Sequence, residues 1–192
     1  GRPLEFDPDK ALDAAVEVFW GRGYEATSIT DLLEAMELSK SSLYQAFGSK
    51  QQLFERCLAR YSDGLSTRMR TALEEGTSGR RFIEETFMAV ARTAQQPDGA
   101  KGCLIANSAS ELGQREPALA APVADGLGRF TRIFTDAVTR AQAAGEVPAE
   151  ADPRALASYL VACMNGLRTV IKAGADRRSA KGTVKLMLRA LD

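Results

Sequence analysis

Thr27-Ser28-Ile29-Thr30-Asp31-Leu32-Leu33 and, a few residues on, Leu38-Ser39-Lys40-Ser41-Ser42-Leu43-Tyr44-Gln45-Ala46-Phe47-Gly48-Ser49-Lys50 decide how this chain folds. Each half opens on a serine, Ser28 or Ser39, whose hydroxyl can accept a first-turn N–H and cap a helix. Asp31 stands three places after Ser28, the spacing of a capping box. Glu37-Leu38-Ser39 reads as the turn between two short helices, and Gly48 as the stop of the second. Upstream, Asp7-Pro8 starts a first helix whose apolar stripe is Leu12, Ala15, Val16 and Phe19 and which ends at Gly21-Arg22-Gly23. Downstream, Ser49-Lys50 begins a fourth helix carrying Phe54, Cys57, Leu58, Tyr61 and Leu65. Short helices joined by a tight turn between longer ones suggest a helix-turn-helix. Phe19, Tyr24, Ile29, Leu32, Leu33, Leu43, Tyr44 and Phe47 are its predicted core. The third helix is expected to expose Lys40, Ser41, Gln45 and Ala46, polar or small residues that fit a major groove.

No stretch shows the period-2 alternation of a strand, so the whole chain reads as all-α with about nine helices. After a break at 74–79, Ile83, Phe87 and Val90 mark a fifth helix. Pro97-Asp98-Gly99 reads as a loop, and 102–112 as a sixth helix. Pro117 starts a seventh, with Leu127, Phe130, Phe134 and Val138, ending at Gly145. Asp152-Pro153 starts an eighth, whose stripe Leu156, Leu160, Cys163, Leu167 and Val170 suits a bundle seam. Val184, Met187, Leu188 and Leu191 mark a ninth.

Composition narrows the function. A chain of 192 residues, 45% hydrophobic and 26% charged, can bury a core without disulfides or metals. It has no histidine and three widely spaced cysteines, Cys57, Cys103 and Cys163. That argues against zinc sites, Ser-His-Asp or Cys-His catalysis and a secreted disulfide framework. No Gly-rich phosphate loop is present, and the pairs Glu74-Glu75 and Glu84-Glu85 diverge on a helix and read as solvated surface. No enzyme, cofactor or metal site is therefore expected. No apolar run approaches the roughly 18 residues of a membrane span, and Asp7, Asp9 and Asp13 interrupt any signal sequence, so a cytoplasmic location is expected. Gly1-Arg2-Pro3 reads as the tail of a longer N-terminus. Against nucleic-acid binding, residues 1–60 hold seven Lys/Arg and ten Asp/Glu. Affinity depends on charge local to the phosphates, however, and the acids cluster on the first helix, away from Lys40 and Lys50.

The pattern Phe19-x-x-x-Gly23-Tyr24-x-x-Thr27-Ser28-Ile29-x-x-Leu32, continued by Leu38 to Lys50 and Leu53, resembles the TetR family of transcriptional repressors. The resemblance implies a helix-turn-helix DNA-binding domain at 1–50 and a larger helical effector-binding and dimerisation domain at 51–192. It implies phosphate contacts at Thr27, Ser28, Ser42, Tyr44 and Lys50, a groove contact at Thr30, and base-reading positions at Lys40, Ser41 and Gln45. Glu37 departs from the family, which usually has glycine there; a slightly altered turn is expected, since a left-handed Glu costs about 1 kcal/mol.

The resemblance further implies a homodimer on palindromic operator DNA, paired through the last helices by Leu160, Leu167, Met187, Leu188 and Leu191. It implies a small-molecule effector, for which Phe87, Cys103, Leu104, Asn107, Phe130, Phe134 and Met164 are candidate contacts. Lys101-Gly102-Cys103-Leu104 places a thiol at a predicted helix start, beside a lysine, where thiolate is favoured. Relatives with a Gly-Cys-Leu step look like electrophile or oxidant sensors, so release by thiol modification is a second expectation. The competing reading is a helical protein-interaction module without DNA binding.

Overall fold

A computed structural model of the chain describes residues 6–113 and 115–192; Gly1-Arg2-Pro3 lies outside them. Among the described residues all regular structure is helical: α1 (Pro8–Arg22), α2 (Ile29–Met36), α3 (Lys40–Phe47), α4 (Lys50–Glu75), α5 (Gly79–Arg92), α6 (Pro97–Lys101), α7 (Leu104–Leu112), α8 (Pro117–Ala143), α9 (Pro153–Lys172), α10 (Arg177–Met187) and a closing 3-10 turn, Leu188–Leu191. Two boundaries differ from expectation. Pro97 starts the short helix α6 instead of a loop. The segment expected as one helix over 102–112 begins only at Leu104, because Gly102 at φ 72° ends α6 first.

By packing, the chain separates into two compact units. One gathers the chain up to Gly64 with Leu104–Gly126; the other gathers Leu65–Cys103 with Leu127–Asp192. This differs from a functional division near residue 50, because α4 and α8 each contribute residues to both units.

The first unit is built on local caps. Asp7 accepts the Asp9 N–H at 3.0 Å and the Lys10 N–H at 3.3 Å, opening α1. Ser28 accepts the Asp31 N–H at 3.1 Å while the Asp31 carboxylate accepts the Ser28 N–H at 2.8 Å. Ser39 accepts the Ser42 N–H at 3.2 Å and opens α3. Phe19, Leu32, Leu43 and Phe47 close the core with Leu53, Phe54 and Leu58 of α4. Phe54 is its centre: its ring lies 4.8 Å from that of Phe19 and 4.8 Å from that of Tyr24. Tyr24, Ile29 and Leu33 are only partly buried, and Tyr44, expected in the core, is exposed.

The second unit has the larger apolar core, with Phe82, Ile83 and Phe87 of α5, Ile133, Phe134 and Val138 of α8, and Leu160, Met164 and Leu167 of α9. The start of α5 passes so close to α8 that a side chain at Gly79 would collide with the Ala137 carbonyl. Arg140 donates to the carbonyls of Leu73 and Gly76 at 2.6 Å each, satisfying groups orphaned at the end of α4.

Candidate functional site

Helix α3 is held from beneath by buried Leu43 and Phe47, which leaves Lys40, Ser41, Tyr44 and Gln45 on its exposed side. These four fall at i, i+1, i+4 and i+5, the spacing of one helix face. They offer an ammonium, an aliphatic hydroxyl, a phenol and an amide: donors and acceptors suited to base edges and phosphates, with no carboxylate among them. Thr30, in the first turn of α2, is also exposed.

The remaining members of the expected set divide. Thr27 is only 1% exposed, and its hydroxyl donates to the Gly23 carbonyl at 2.6 Å. That corrects its assignment as a phosphate contact: the hydroxyl is inside and its proton is used. The Ser28 hydroxyl faces solvent but donates to Asp31 at 2.7 Å as well as accepting from it, so its first task is the cap. Ser42 Oγ lies 2.8 Å from Ser39 Oγ. Lys50 is half-buried, its ammonium 4.5 Å from the centre of the Tyr24 ring, a cation–π contact that fixes where the charge sits.

Glu37, in the α2–α3 turn, adopts φ 53°, ψ 41°, a left-handed conformation that favours glycine and that a Glu side chain takes at the cost of strain. The acidity of the first unit is also partly neutralised. Arg60 donates to both oxygens of Asp13, at 2.9 and 3.0 Å, and to Asp9 at 3.0 Å. Arg22 pairs with Asp31 at 2.5 Å. Asp31 titrates below its ordinary range because the Ser28 hydroxyl and N–H bond its charged form and Arg22 attracts it.

A contact that sequence reasoning missed anchors the α1–α2 turn. The Glu111 carboxylate, on α7, accepts the Tyr24 N–H at 3.0 Å and the Glu25 N–H at 2.8 Å. Gly23, at φ 85°, makes room for it: a Cβ there would stand 2.7 Å from Glu111 Oε2. Arg56, also unforeseen, donates to the Ala46 carbonyl at 3.1 Å and lies over the Phe47 ring, bracing the end of α3.

The second unit holds a partly open cavity of about 240 Å³. Cys103, Phe130, Phe134 and Met164, all expected as effector contacts, line it. Three others do not. Phe87 is buried in the core, its ring 6.1 Å from Phe134. Leu104 is packed in the first unit, and Asn107, half-buried, belongs to that unit too. Cys103 immediately precedes α7 instead of lying in its first turn, and is buried. Burial pushes the Cys57 thiol far up, which makes it inert. The sequence reading passed over Arg68, Asn165 and Arg168, which also line the cavity. The available signal was helical spacing: Val161, Met164, Asn165 and Arg168 recur at i, i+3, i+4 and i+7.

The expected pairing residues need correction as well. Leu160, Leu167 and Leu191 are 0% exposed and fill the core of the chain itself, which leaves them no surface for pairing. Met187 and Leu188 are partly buried against the same core. The buried stripe of α9 is Ala157, Leu160, Met164, Leu167 and Ile171. Its outward line is Tyr159, Cys163, Gly166 and Val170, of which Tyr159 and Val170 are 43% and 46% exposed. The expected seam had mixed these two faces.

Residues 11–57 match the family model for bacterial regulatory proteins of the tetR family, and residues 79–187 match that for the tetracyclin repressor-like C-terminal domain. The chain is 33% identical over 193 aligned positions to the uncharacterised HTH-type transcriptional regulator YezE of Bacillus subtilis, covering 100% of both chains. It is 32% identical to the HTH-type transcriptional repressor ComR of Escherichia coli, over 92% of this chain and 84% of that protein. Among solved structures, a cysteine mutant of the TetR family transcriptional regulator CifR, complexed with a 26 bp double-strand operator DNA, is 32% identical and aligns over 100% of both chains with a TM-score of 0.88. Reduced NemR from Escherichia coli, 17% identical with a TM-score of 0.87, shares the fold. None of the helices described is long and apolar enough to cross a membrane. With both its helix-turn-helix and its C-terminal helices matched, the chain belongs to the tetR family of bacterial regulatory proteins.

Proposed function

We propose that the protein is a transcriptional repressor that binds a palindromic operator as a homodimer and leaves it when a small molecule fills the cavity of the second unit. The observation that carries this reading is the exposed face of α3, where Lys40, Ser41, Tyr44 and Gln45 stand on a fully buried base. Gln45 is suited to adenine and Lys40 to guanine, while Tyr44 and Lys50 meet phosphates. Thr30 and the open N–H groups at the start of α2 add a further backbone contact. The operator complex of CifR and the repressor ComR, both about as similar to this chain, support the same reading.

The dimer forms through the outward line of α9, Tyr159, Cys163, Gly166 and Val170, together with exposed Leu186 of α10. Two-fold symmetry then matches the palindrome. Effector and operator favour different arrangements of the dimer, so occupancy of the cavity lowers operator affinity. Cys103, on the cavity wall, is a second route to release, by alkylation or oxidation. The protein works in the cytoplasm, where its DNA is.

Gel shifts on the promoter of its own gene test the reading. Tyr44→Ala and Lys50→Ala weaken the shift about tenfold each, whereas unchanged affinity in both removes the DNA face. A thiol alkylator releases DNA from the wild type and not from Cys103→Ser; identical behaviour of the two ends the thiol route.

A further inference from the structure

The cavity of the second unit has a division of chemistry that bears on what it holds. Its walls are apolar, with Phe82, Phe130 and Phe134 among them, but Arg68 of α4 and Asn165 and Arg168 of α9 also face it. Among the described residues, no aspartate or glutamate lines it. Thr86, another polar residue on the wall, spends its hydroxyl on the Phe82 carbonyl at 2.8 Å. Some arginines elsewhere in the unit are committed, though Arg92, Arg154, Arg178 and Arg189, like the two on the wall, have no side-chain partner among the described residues. Arg80 binds Glu84 and Asp192, Arg81 binds Glu85, and Arg140 binds two carbonyls. Among the described residues, Arg68 and Arg168 have neither an ion pair nor a side-chain hydrogen bond. The Asn165 amide also has no partner; only its backbone carbonyl is used, by Thr169.

What distinguishes these groups is their place: the guanidiniums of Arg168, half-buried, and Arg68, exposed at the rim, stand with the half-buried Asn165 amide beside an apolar hollow, a site for an anion with an apolar body. A carboxylate suits planar arginines best, since it can accept paired N–H groups. The hollow, about 240 Å³ and partly open to solvent, suits a body such as a medium acyl chain or a single aromatic ring. We infer that the effector is a medium-sized organic carboxylate, its apolar part against Phe130 and Phe134 and its carboxylate on Arg68 and Arg168. This rests on the reading of the cavity as the effector site and adds the ligand's charge and size to it.

Isothermal titration of the full chain with octanoate, 1-octanol and octylamine separates the two claims. Octanoate is expected to bind at least tenfold more tightly than 1-octanol, and octylamine not at all. Arg168→Gln and Arg68→Gln, with unchanged melting temperatures in the absence of ligand, each weaken octanoate about tenfold and leave 1-octanol as it was. Val161→Trp, which fills the cavity, abolishes both. Equal affinity for octanoate and 1-octanol in the wild type, with both lost in Val161→Trp, overturns the carboxylate inference and leaves the cavity as a ligand site. Octanoate binding that survives Val161→Trp, or absence of binding by all three ligands, overturns the cavity reading and the inference together.

Discussion

The two units carry their function in opposite places. In the first, the side chains proposed to act are on the outside, on one face of α3, and the interior serves only to hold that face still. In the second, what is proposed to act is the space inside, and the residues proposed to matter are those around it. A surface built on a helix eight residues long is fixed by the caps and core beneath it. A cavity is fixed by the mutual spacing of three long helices, α4, α8 and α9, and the shorter α5. The first unit should therefore be sensitive to single buried residues, and the second more tolerant at the wall of its cavity.

Phe54→Ala tests that contrast most severely. Phe54 is fully buried between Phe19 and Tyr24, and its loss should cost about 3–5 kcal/mol, with the first unit melting first in a thermal scan followed by Trp20 fluorescence. Met164→Ala, at a cavity wall that is already open, should cost less, about 2 kcal/mol. If the two cost the same, the units do not differ in the way described.

Smaller changes sharpen the picture at the α1–α2 turn. Glu111→Ala leaves the Tyr24 and Glu25 N–H groups without their acceptor, and should cost about 1 kcal/mol in urea unfolding and weaken operator binding. Glu111→Asp, too short to reach, should behave alike. Glu37→Gly removes left-handed strain from the α2–α3 turn and should raise stability by about 1 kcal/mol with operator affinity kept. The mildest effect is one of pH. Because the Ser28 bonds and Arg22 hold Asp31 below its ordinary value of 3.8, its contribution is complete above that pH and fades as pH falls through the lower folded value. Asp31→Asn should therefore be less stable than wild type near neutrality, and the gap should close in acid; a gap independent of pH would mean the carboxylate charge plays no part in the cap.

What could be read from the sequence follows the same division. Asp7, Ser28, Ser39 and Gly48 mark their helix ends because a cap is a contact between near neighbours in the chain, and all four ends stand where the residues placed them. Lys40, Ser41 and Gln45 were legible as an exposed set because Leu43 and Phe47 fix the opposite side. Thr27 was misread because its hydroxyl turns inward to Gly23, a choice that no spacing reveals. In the second unit the apolar stripe of α9 showed a helix but not which side of it faces a partner: one residue turns the face by about 100°, so Leu160 is core and Tyr159 is surface. Arg68, exposed, and Arg168, half-buried, stayed hidden because a lone arginine on a helix does not show that it borders a cavity until the neighbouring helices are placed around it.

The central claim is that α3 reads DNA sequence, and the affinity of wild type and Gln45→Ala for the promoter palindrome and for a scrambled duplex of equal length and composition tests it most directly. The account predicts that wild type prefers the palindrome, that affinity falls as salt rises, and that Gln45→Ala loses about 1–3 kcal/mol on the palindrome while its binding to the scrambled duplex is unchanged. Equal binding of wild type to both duplexes, or a Gln45→Ala variant that still prefers the palindrome as wild type does, would contradict it.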